Sequence, residues 1–197
     1  RQNAVARMFC DIRTPRGEPF QGDPRYVLKR NLERLGRLGF TYYVGPELEF
    51  FYLQSPHSAE PLDHDGYFDQ LSSQPASDLR RDTVLNLSDI GVPVKYSHHE
   101  AAPSQQEIDL QYTDALTMAD SVITAKLVIK ELAQRRGAYA SFMPKPISGV
   151  NGSGMHVHQS LFRGNHNAFY DAEDDHHLSL IGKRFIAGLL RHAQEMT

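Results

Sequence analysis

The spacing of apolar and polar residues divides the chain into helical and extended segments. Apolar positions three and four residues apart predict a helix that begins at Asp23 and Pro24 and ends at Gly39. The same criterion predicts helices over residues 78–90 and 114–136, and a final helix follows near the C-terminus. Aspartate before proline is a typical helix start, and glycine is a typical helix stop.

Between these helices, runs of β-branched and aromatic residues predict strands. The predicted strands cover residues 4–12, 41–53, 92–97, 106–112, 138–146 and 155–162, and an irregular insertion is expected over 56–69. Strands and helices do not alternate regularly, which favours an α+β fold over a doubly wound sheet. The chain has no internal repeats and no low-complexity linker, so we expect one domain.

Composition and charge exclude several classes of function. The chain has 197 residues and a formal net charge of -3, which leaves no basic surface for nucleic acid and no polybasic membrane patch. We find no apolar run long enough to span a membrane. The single cysteine, Cys10, excludes an internal disulfide framework and favours a reducing cytoplasm.

The first candidate site lies in the segment GPELEFF. Along a strand, Glu47 and Glu49 share one face. A half-exposed strand with two solvated glutamates is one interpretation. The apolar run 50–53 does not alternate, however, and this indicates a strand buried on both faces, where an unpaired carboxylate is costly. A divalent cation between the two carboxylates would remove both the burial cost and their repulsion.

The segment HHEAAPSQQE carries two more carboxylates. Glu100 ends one predicted strand and Glu107 begins the next, so a tight loop can bring them to one point. A solvated surface loop is the alternative. The adjacent His98 and His99 are not predicted to be ligands.

The segment NGSGMHVHQS is the strongest local signal. Alternation along a strand places His156, His158 and Ser160 on one face. The preceding glycines at 152 and 154 allow close backbone approach, which suits a bound anion such as phosphate or carboxylate. A glycine hairpin with polar residues on an exposed face is the alternative.

Taken together, four glutamates would balance two divalent cations. Oxygen ligands with a single histidine suit Mg²⁺ or Mn²⁺ better than zinc. Paired hard cations beside an anion-binding loop indicate phosphoryl transfer. The sequence has neither a Walker-type phosphate loop nor a Rossmann glycine fingerprint, so any nucleotide is held in another way.

In this order, the motifs GPELEFF, HHEAAPSQQEID, FMPKP and NGSGMHVHQSL resemble the catalytic domain of the glutamine synthetase family, type I class. The resemblance implies an antiparallel sheet that forms a half-barrel active site with flanking helices. Residues 1–12 would be the last strand of an N-terminal β-grasp-like domain or the start of the catalytic domain. Residues 13–197 would be a catalytic domain incomplete at its C-terminus, and we expect this piece alone to be inactive.

The resemblance also implies roles for individual residues. Glu49, Glu100 and Glu107 match ligands of the first metal, and Glu47 and His156 match ligands of the second. Substrate roles also carry over: for glutamate, Asn151 and Gly152; for ATP, His158, Ser160 and Lys95. The family often has Glu or Gly where Lys95 stands, so that match departs from the pattern. No residue of the chain is assigned as a catalytic acid or base.

The implied reaction uses ATP as co-substrate and two Mg²⁺ or Mn²⁺ ions per site. ATP phosphorylates the γ-carboxylate of glutamate, and ammonia displaces phosphate from the acyl phosphate to form glutamine. Members of the family assemble into rings, typically dodecamers, and we expect a cytoplasmic homo-oligomer with no nucleic-acid or membrane partner.

Three alternatives remain open from the sequence. The first is a γ-glutamyl-polyamine or γ-glutamyl-amine ligase, because VKYSHHE departs from the commoner glutamate-rich version. The second is a non-catalytic structural paralogue, against which the five intact metal-ligand positions argue. The third is a two-metal hydrolase, for which no water-positioning base can be identified.

Overall fold

The computed structural model describes residues 6–69 and 75–196 of the chain. The helices are α1 (Pro24–Arg37), α2 (Pro75–Asp89), α3 (Ala115–Arg135), α4 (Leu180–Arg191) and α5 (Ala193–Met196). The strands are β1 (Thr41–Leu53), β2 (Val94–His99), β3 (Gln105–Leu110), β4 (Thr113–Asp114), β5 (Tyr139–Ser141), β6 (Val157–Arg163) and β7 (His166–Asn167). The pairings described below are antiparallel, and helices flank the sheet, as the α+β prediction required.

The chain forms two compact units. One unit contains residues up to Tyr43, Asp114–Leu116 and the residues from Gln159 onward. The other unit contains Val44–Thr113 and Thr117–His158 and holds most of the candidate site residues. No helix in the described parts of the chain combines the length and the apolar character that a membrane span requires.

Helix α1 belongs to the first unit and is capped as the sequence predicts. The Asp23 side chain accepts a hydrogen bond from the Arg25 backbone N–H at 3.0 Å, and Pro24 occupies the first turn. The same unit contains the β6–β7 hairpin, in which Phe162 pairs with Asn167. Ser179 caps the start of helix α4, and its hydroxyl accepts a hydrogen bond from the Gly182 N–H at 3.1 Å.

Strand β1 is the centre of the second unit. Its last four residues, 50–53, are all buried, and this confirms the expectation of a strand covered on both faces. Strand β3 pairs with one edge of β1, and β5 pairs with the end of β1, where Tyr52 lies opposite Ala140. The buried core continues into α2 through Leu79 and Leu87 and into α3 through Ile129.

Two predicted strands are wrong in part. Residues 6–12 contain no strand, while residues 4 and 5 lie outside the described residues. This segment instead bonds to the start of α1: Asp11 pairs with Arg25 and Lys29, and the Ile12 N–H donates to Asp23.

The strand expected over 138–146 ends at Ser141. The Ser141 hydroxyl accepts the Met143 N–H at 3.3 Å, and this bond turns the chain away from the sheet. The prolines that follow at 144 and 146 lack an N–H for a strand ladder.

Candidate active site

A ladder of four carboxylates crosses strands β1 and β3. Glu49 lies opposite Glu107, and Glu47 lies opposite Asp109. Because side chains alternate along a strand, these four residues project from the same face of the sheet. Like charges directly opposite each other destabilise a strand pair, so this arrangement is costly without a positive partner.

Strand β2 and the following loop add further ligating groups to the ladder. His98 lies opposite Glu107, and its Nε2 is 3.6 Å from Glu107 Oε1. The other ring nitrogen of His98 is 3.6 Å from Glu100 Oε1. Two sets of side chains in this region could each hold a cation, because the potential ligand atoms within each set lie within 4.8 Å of one another. One set is His98, Glu100 and Glu107, and the other is Glu47, Glu107 and Asp109.

The loop that carries Glu100 is held from behind by a buried aspartate. Asp63 Oδ1 accepts from His99 Nε2 at 2.9 Å and from the Ser104 N–H at 2.8 Å. The Ser104 hydroxyl lies 2.6 Å from the Asp63 N–H, and Ser104 has a positive φ of 58°. Asp63 therefore connects the last residue of β2 to the residue before β3, and Glu100 lies between these two points.

His99 itself carries a positive charge in this arrangement. Its Nε2 bonds to the Asp63 carboxylate, and its Nδ1 bonds to the Glu100 carbonyl at 2.7 Å. Both partners are acceptors only, so both ring nitrogens must be protonated. Burial alone would lower the pKa of His99, but the hydrogen bonds to Asp63 and to the Glu100 carbonyl outweigh it and raise that pKa.

Two histidines contact the other end of the carboxylate ladder. His156 Nδ1 donates to Glu47 Oε2 at 3.0 Å, and His158 Nε2 bonds to Glu47 Oε1. The Glu47 N–H also donates to the His156 carbonyl at 2.9 Å, and this bond fixes the approach of that segment to β1. The bond with His158, reinforced by His156, holds the pKa of Glu47 below its ordinary value.

The negative charges of the ladder favour binding of a cation. Burial, together with the carboxylates of Asp109 and Glu100, raises the pKa of Glu107 to about 9. Asp109 Oδ1 is buried and has no hydrogen-bond partner within the described residues. A carboxyl with a raised pKa beside an unpartnered carboxylate oxygen indicates a shortage of positive charge. Carboxylate oxygens are also the ligands that Mg²⁺ and Mn²⁺ prefer.

These groups share one pocket of about 610 Å³. The lining residues are Glu47, Glu49, Tyr67, Phe68, Tyr96, Ser97, His98, Glu100, Glu107, Asp109 and His156. Aromatic rings form its second component: Phe68 stacks on His98 at 4.5 Å between ring centroids, and Tyr67 meets the same imidazole edge-on at 5.6 Å. The pocket therefore combines a carboxylate floor with an exposed aromatic wall.

Known proteins resemble the chain in sequence and fold. A profile described as glutamine synthetase, catalytic domain, matches residues 21–197. The chain belongs to the glutamine synthetase family. It is 51% identical over 195 residues to the glutamine synthetase of Thermotoga maritima and 53% identical over 196 residues to that of Mycobacterium tuberculosis. These alignments cover 97% and 98% of the chain but 44% of each relative, so the chain spans less than half of their length.

Solved structures of the glutamine synthetase fold also match the chain. A cryo-EM structure of Plasmodium falciparum glutamine synthetase has a TM-score of 0.85 at 29% identity, covering 93% of this chain and 43% of that one. An apo GmaS structure has a TM-score of 0.83 at 32% identity, covering 90% of this chain and 43% of that one. The antiparallel half-barrel sheet expected from the resemblance is thereby confirmed.

The structure brings together all five residues matched to the metal ligands of glutamine synthetases. Glu47, Glu49, Glu100, Glu107 and His156 all line the same pocket. The residues matched to substrates are not among those that line this pocket. Asn151 and Gly152 are exposed in the loop before β6, and His158 bonds to Glu47, which does line it.

Two other residues, Ser160 and Lys95, are matched to ATP. Ser160 is half-buried and belongs to the first unit. Lys95 is exposed, and its ammonium lies 5.0 Å above the Tyr96 ring. Lys95 is not among the residues that line the carboxylate pocket.

Sequence reasoning missed several members of the site. Asp109 follows Glu107 by two residues in a predicted strand, so alternation could have found it. His98 was not predicted to be a ligand, although its ring lies between two glutamates. Asp63 comes from the irregular insertion, and no local pattern in the sequence connects it with His99.

Proposed function

We propose that the gene product containing this chain is an ATP-dependent glutamate–ammonia ligase that forms glutamine through a γ-glutamyl phosphate. The carboxylate ladder of Glu47, Glu49, Glu107 and Asp109 carries the proposal. Its density of negative charge, the raised pKa of Glu107 and the unpartnered Asp109 oxygen all favour divalent cations. Membership of the glutamine synthetase family supports the same reaction.

The proposed metal ligands divide between two ions. Glu49, Glu100 and Glu107 would hold the first ion, and Glu47 and His156 would hold the second. Bound Mg²⁺ or Mn²⁺ would neutralise the phosphates of ATP and reduce their repulsion of the glutamate carboxylate. Asp109 and His98, which line the same pocket, are candidates to complete these two sets of ligands.

Other residues of the chain are proposed to bind the two substrates. Asn151 and Gly152 are proposed to bind glutamate, and His158, Ser160 and Lys95 to bind ATP. His158 already bonds to Glu47, so the same side chain can orient a proposed metal ligand and face the nucleotide. The aromatic wall can exclude water from the acyl phosphate, which water would otherwise hydrolyse.

A ligase that uses an organic amine is the second candidate. Tyr67, Phe68 and Tyr96 are 62%, 54% and 60% exposed, and all three line the carboxylate pocket. Aromatic faces beside carboxylates attract alkylammonium ions through cation–π and charge interactions. A γ-glutamyl-amine or γ-glutamyl-polyamine ligase would use the same activation step with a larger acceptor.

The family and the composition support a proposal on assembly and location. We propose a homo-oligomeric ring, with a dodecamer as the typical family state, and a cytoplasmic location in keeping with the single cysteine, Cys10.

A screen of nitrogen acceptors tests the proposed function. The complete gene product is incubated with Mg²⁺, ATP and glutamate, and ADP release is measured with ammonium, methylamine or a diamine. We expect glutamate-dependent release that is fastest with ammonium. Preference for methylamine or the diamine would favour the second candidate, and release that does not require glutamate would contradict both.

A further inference from the structure

Gln105, the first residue of β3, has an unusual set of contacts. Its side chain is buried, with 1% of the residue exposed. The amide oxygen accepts the Ala102 N–H at 3.2 Å. A backbone N–H can only donate, so this contact identifies the oxygen end of the amide and directs the NH₂ group to the opposite side.

The NH₂ group of Gln105 faces three acceptors. Its Nε2 lies 3.1 Å from Glu49 Oε2, 3.0 Å from the Gly152 carbonyl and 3.2 Å from Ser153 Oγ. An amide nitrogen has two hydrogens, so the three acceptors compete for them. One of the three is a proposed metal ligand, and the other two belong to the loop proposed to bind glutamate.

That loop, residues 151–154, is packed closely enough to respond to Glu49. The Ser153 N–H donates to the Pro144 carbonyl at 2.7 Å, and a Cβ on Gly152 would meet the same oxygen at 2.6 Å. At Gly154, a Cβ would lie 3.6 Å from Glu49 Oε1. Both oxygens of Glu49 therefore lie beside this loop, one through Gln105 and one through direct packing.

We propose that Gln105 is a positioning residue that couples cation binding at Glu49 to glutamate binding at the 151–154 loop. A cation bound by Glu49 would compete with the Gln105 hydrogen for the Glu49 carboxylate. The released hydrogen would then be directed to the Gly152 carbonyl and Ser153 Oγ, which would fix the loop in one conformation. This inference rests on the proposed function, because it takes glutamate as the ligand of the loop.

Thermodynamic linkage gives the coupling a measurable form. If Mn²⁺ raises the affinity for glutamate by a given factor, glutamate must raise the affinity for Mn²⁺ by the same factor. A purely structural residue would, when mutated, weaken either affinity without changing that factor. A coupling residue would change the factor itself.

The test uses the complete gene product and two variants. Gln105→Glu keeps the shape but removes both hydrogens, and Gln105→Met removes them without adding charge beside Glu49. Mn²⁺ binding is measured by calorimetry with and without glutamate, and glutamate binding is measured with and without Mn²⁺. Gln106→Glu is the matched control, because Gln106 is the buried neighbour on β3 and bonds to Arg80 outside the pocket.

We expect the coupling factor to fall close to one in both Gln105 variants and to remain at the wild-type value in the control. The apparent KM for glutamate should rise by about 10-fold or more, as for other residues that orient metal ligands, while that for ATP changes much less. An unchanged coupling factor in either folded Gln105 variant would overturn the inference. A wild-type protein without glutamate-dependent turnover would instead overturn the proposed function.

Discussion

Glu49 and Glu107 lie directly opposite each other on strands β1 and β3, and both side chains line one pocket. Two ionised acids in this relation repel each other, and a cation between them removes the repulsion. Glu131 on α3 is an exposed acid of the same type, with 54% of its side chain accessible, and serves as the control. We expect Glu49→Gln and Glu107→Gln each to weaken Mn²⁺ binding by at least about 10-fold.

Calorimetric titration of the three variants with Mn²⁺ checks this expectation. The Glu131→Gln variant should bind with the wild-type affinity and stoichiometry. Wild-type affinity in Glu49→Gln or Glu107→Gln would show that the ladder is not a metal site.

Metal binding should also release a proton from Glu107. Burial and the neighbouring acids raise the pKa of this carboxyl to about 9, so the free protein holds its proton at pH 7.5. A cation binds only the ionised form, and the apparent affinity for Mn²⁺ should therefore rise with pH up to about that value. Calorimetry in two buffers of different ionisation enthalpy counts the protons released.

The raised pKa of Glu107 also predicts how the stability of the metal-free protein depends on pH. Between the ordinary value of 4.5 and about 9, the folded protein holds a proton that the unfolded chain has lost. The free energy of unfolding of the metal-free protein should therefore fall as pH rises through this window. The Glu107→Gln variant should lack this component, and a wild-type protein that releases no proton on binding Mn²⁺ would contradict the assignment.

The buried pair of Asp63 and His99 should contribute strongly to stability. Both side chains have 0% exposure, and His99 has no other acidic partner within hydrogen-bond distance among the described residues. Asp63→Asn removes the carboxylate that bonds to the buried imidazolium and should cost about 3 kcal/mol of unfolding free energy. The exposed pair of Asp78 and Arg81 is the control, and Asp78→Asn should cost less than about 1 kcal/mol.

Urea unfolding at several pH values tests this prediction. The raised pKa of His99 makes its contribution fully present below 6.5 and lost as pH rises through the folded-state value. Burial alone would raise the pKa of Asp63, but hydrogen bonds from His99 and Ser104 lower it, so its contribution is present above 3.8 and lost in stronger acid. The difference between wild type and Asp63→Asn should be largest between these values, and equal stability there would contradict the prediction.

His158 should act on the nucleotide side of the reaction. In the complete gene product, we expect His158→Ala to raise the apparent KM for ATP by about 10-fold, the loss of one hydrogen bond to a charged group. The KM for glutamate should change less. His57 is an exposed histidine away from the pocket, so His57→Ala should leave both constants unchanged. A larger increase in the KM for glutamate than in that for ATP would contradict this role and assign His158 to glutamate binding.

The sequence predicts much of this site because the site residues lie at alternate positions along strands. Glu47 and Glu49 lie two residues apart on β1, so the sequence alone predicts that they share a face. Pairing of β1 with β3 was not predictable, yet it is this pairing that places Asp109 opposite Glu47. Alternation describes one strand at a time, whereas the ladder depends on the register between two.

Alternation along a strand does not predict the contacts that irregular segments make. Asp63 and His99 are 36 residues apart in sequence, and their bond depends on the path of the insertion that precedes α2. From the sequence, Gln105 falls in the polar segment expected to be a loop, and this polarity alone indicates exposure to solvent. Its burial beside Glu49 becomes apparent only when the 151–154 loop folds over it.

Isotope transfer tests the central claim most directly. The complete gene product is given ATP, Mg²⁺, ammonium and glutamate labelled with ¹⁸O in the γ-carboxylate, and the inorganic phosphate is analysed by mass spectrometry. If the ladder supports formation of γ-glutamyl phosphate, one labelled oxygen should pass from the carboxylate to phosphate for each glutamine formed. Glutamine formation with unlabelled phosphate, or phosphate release without glutamine, would contradict the account.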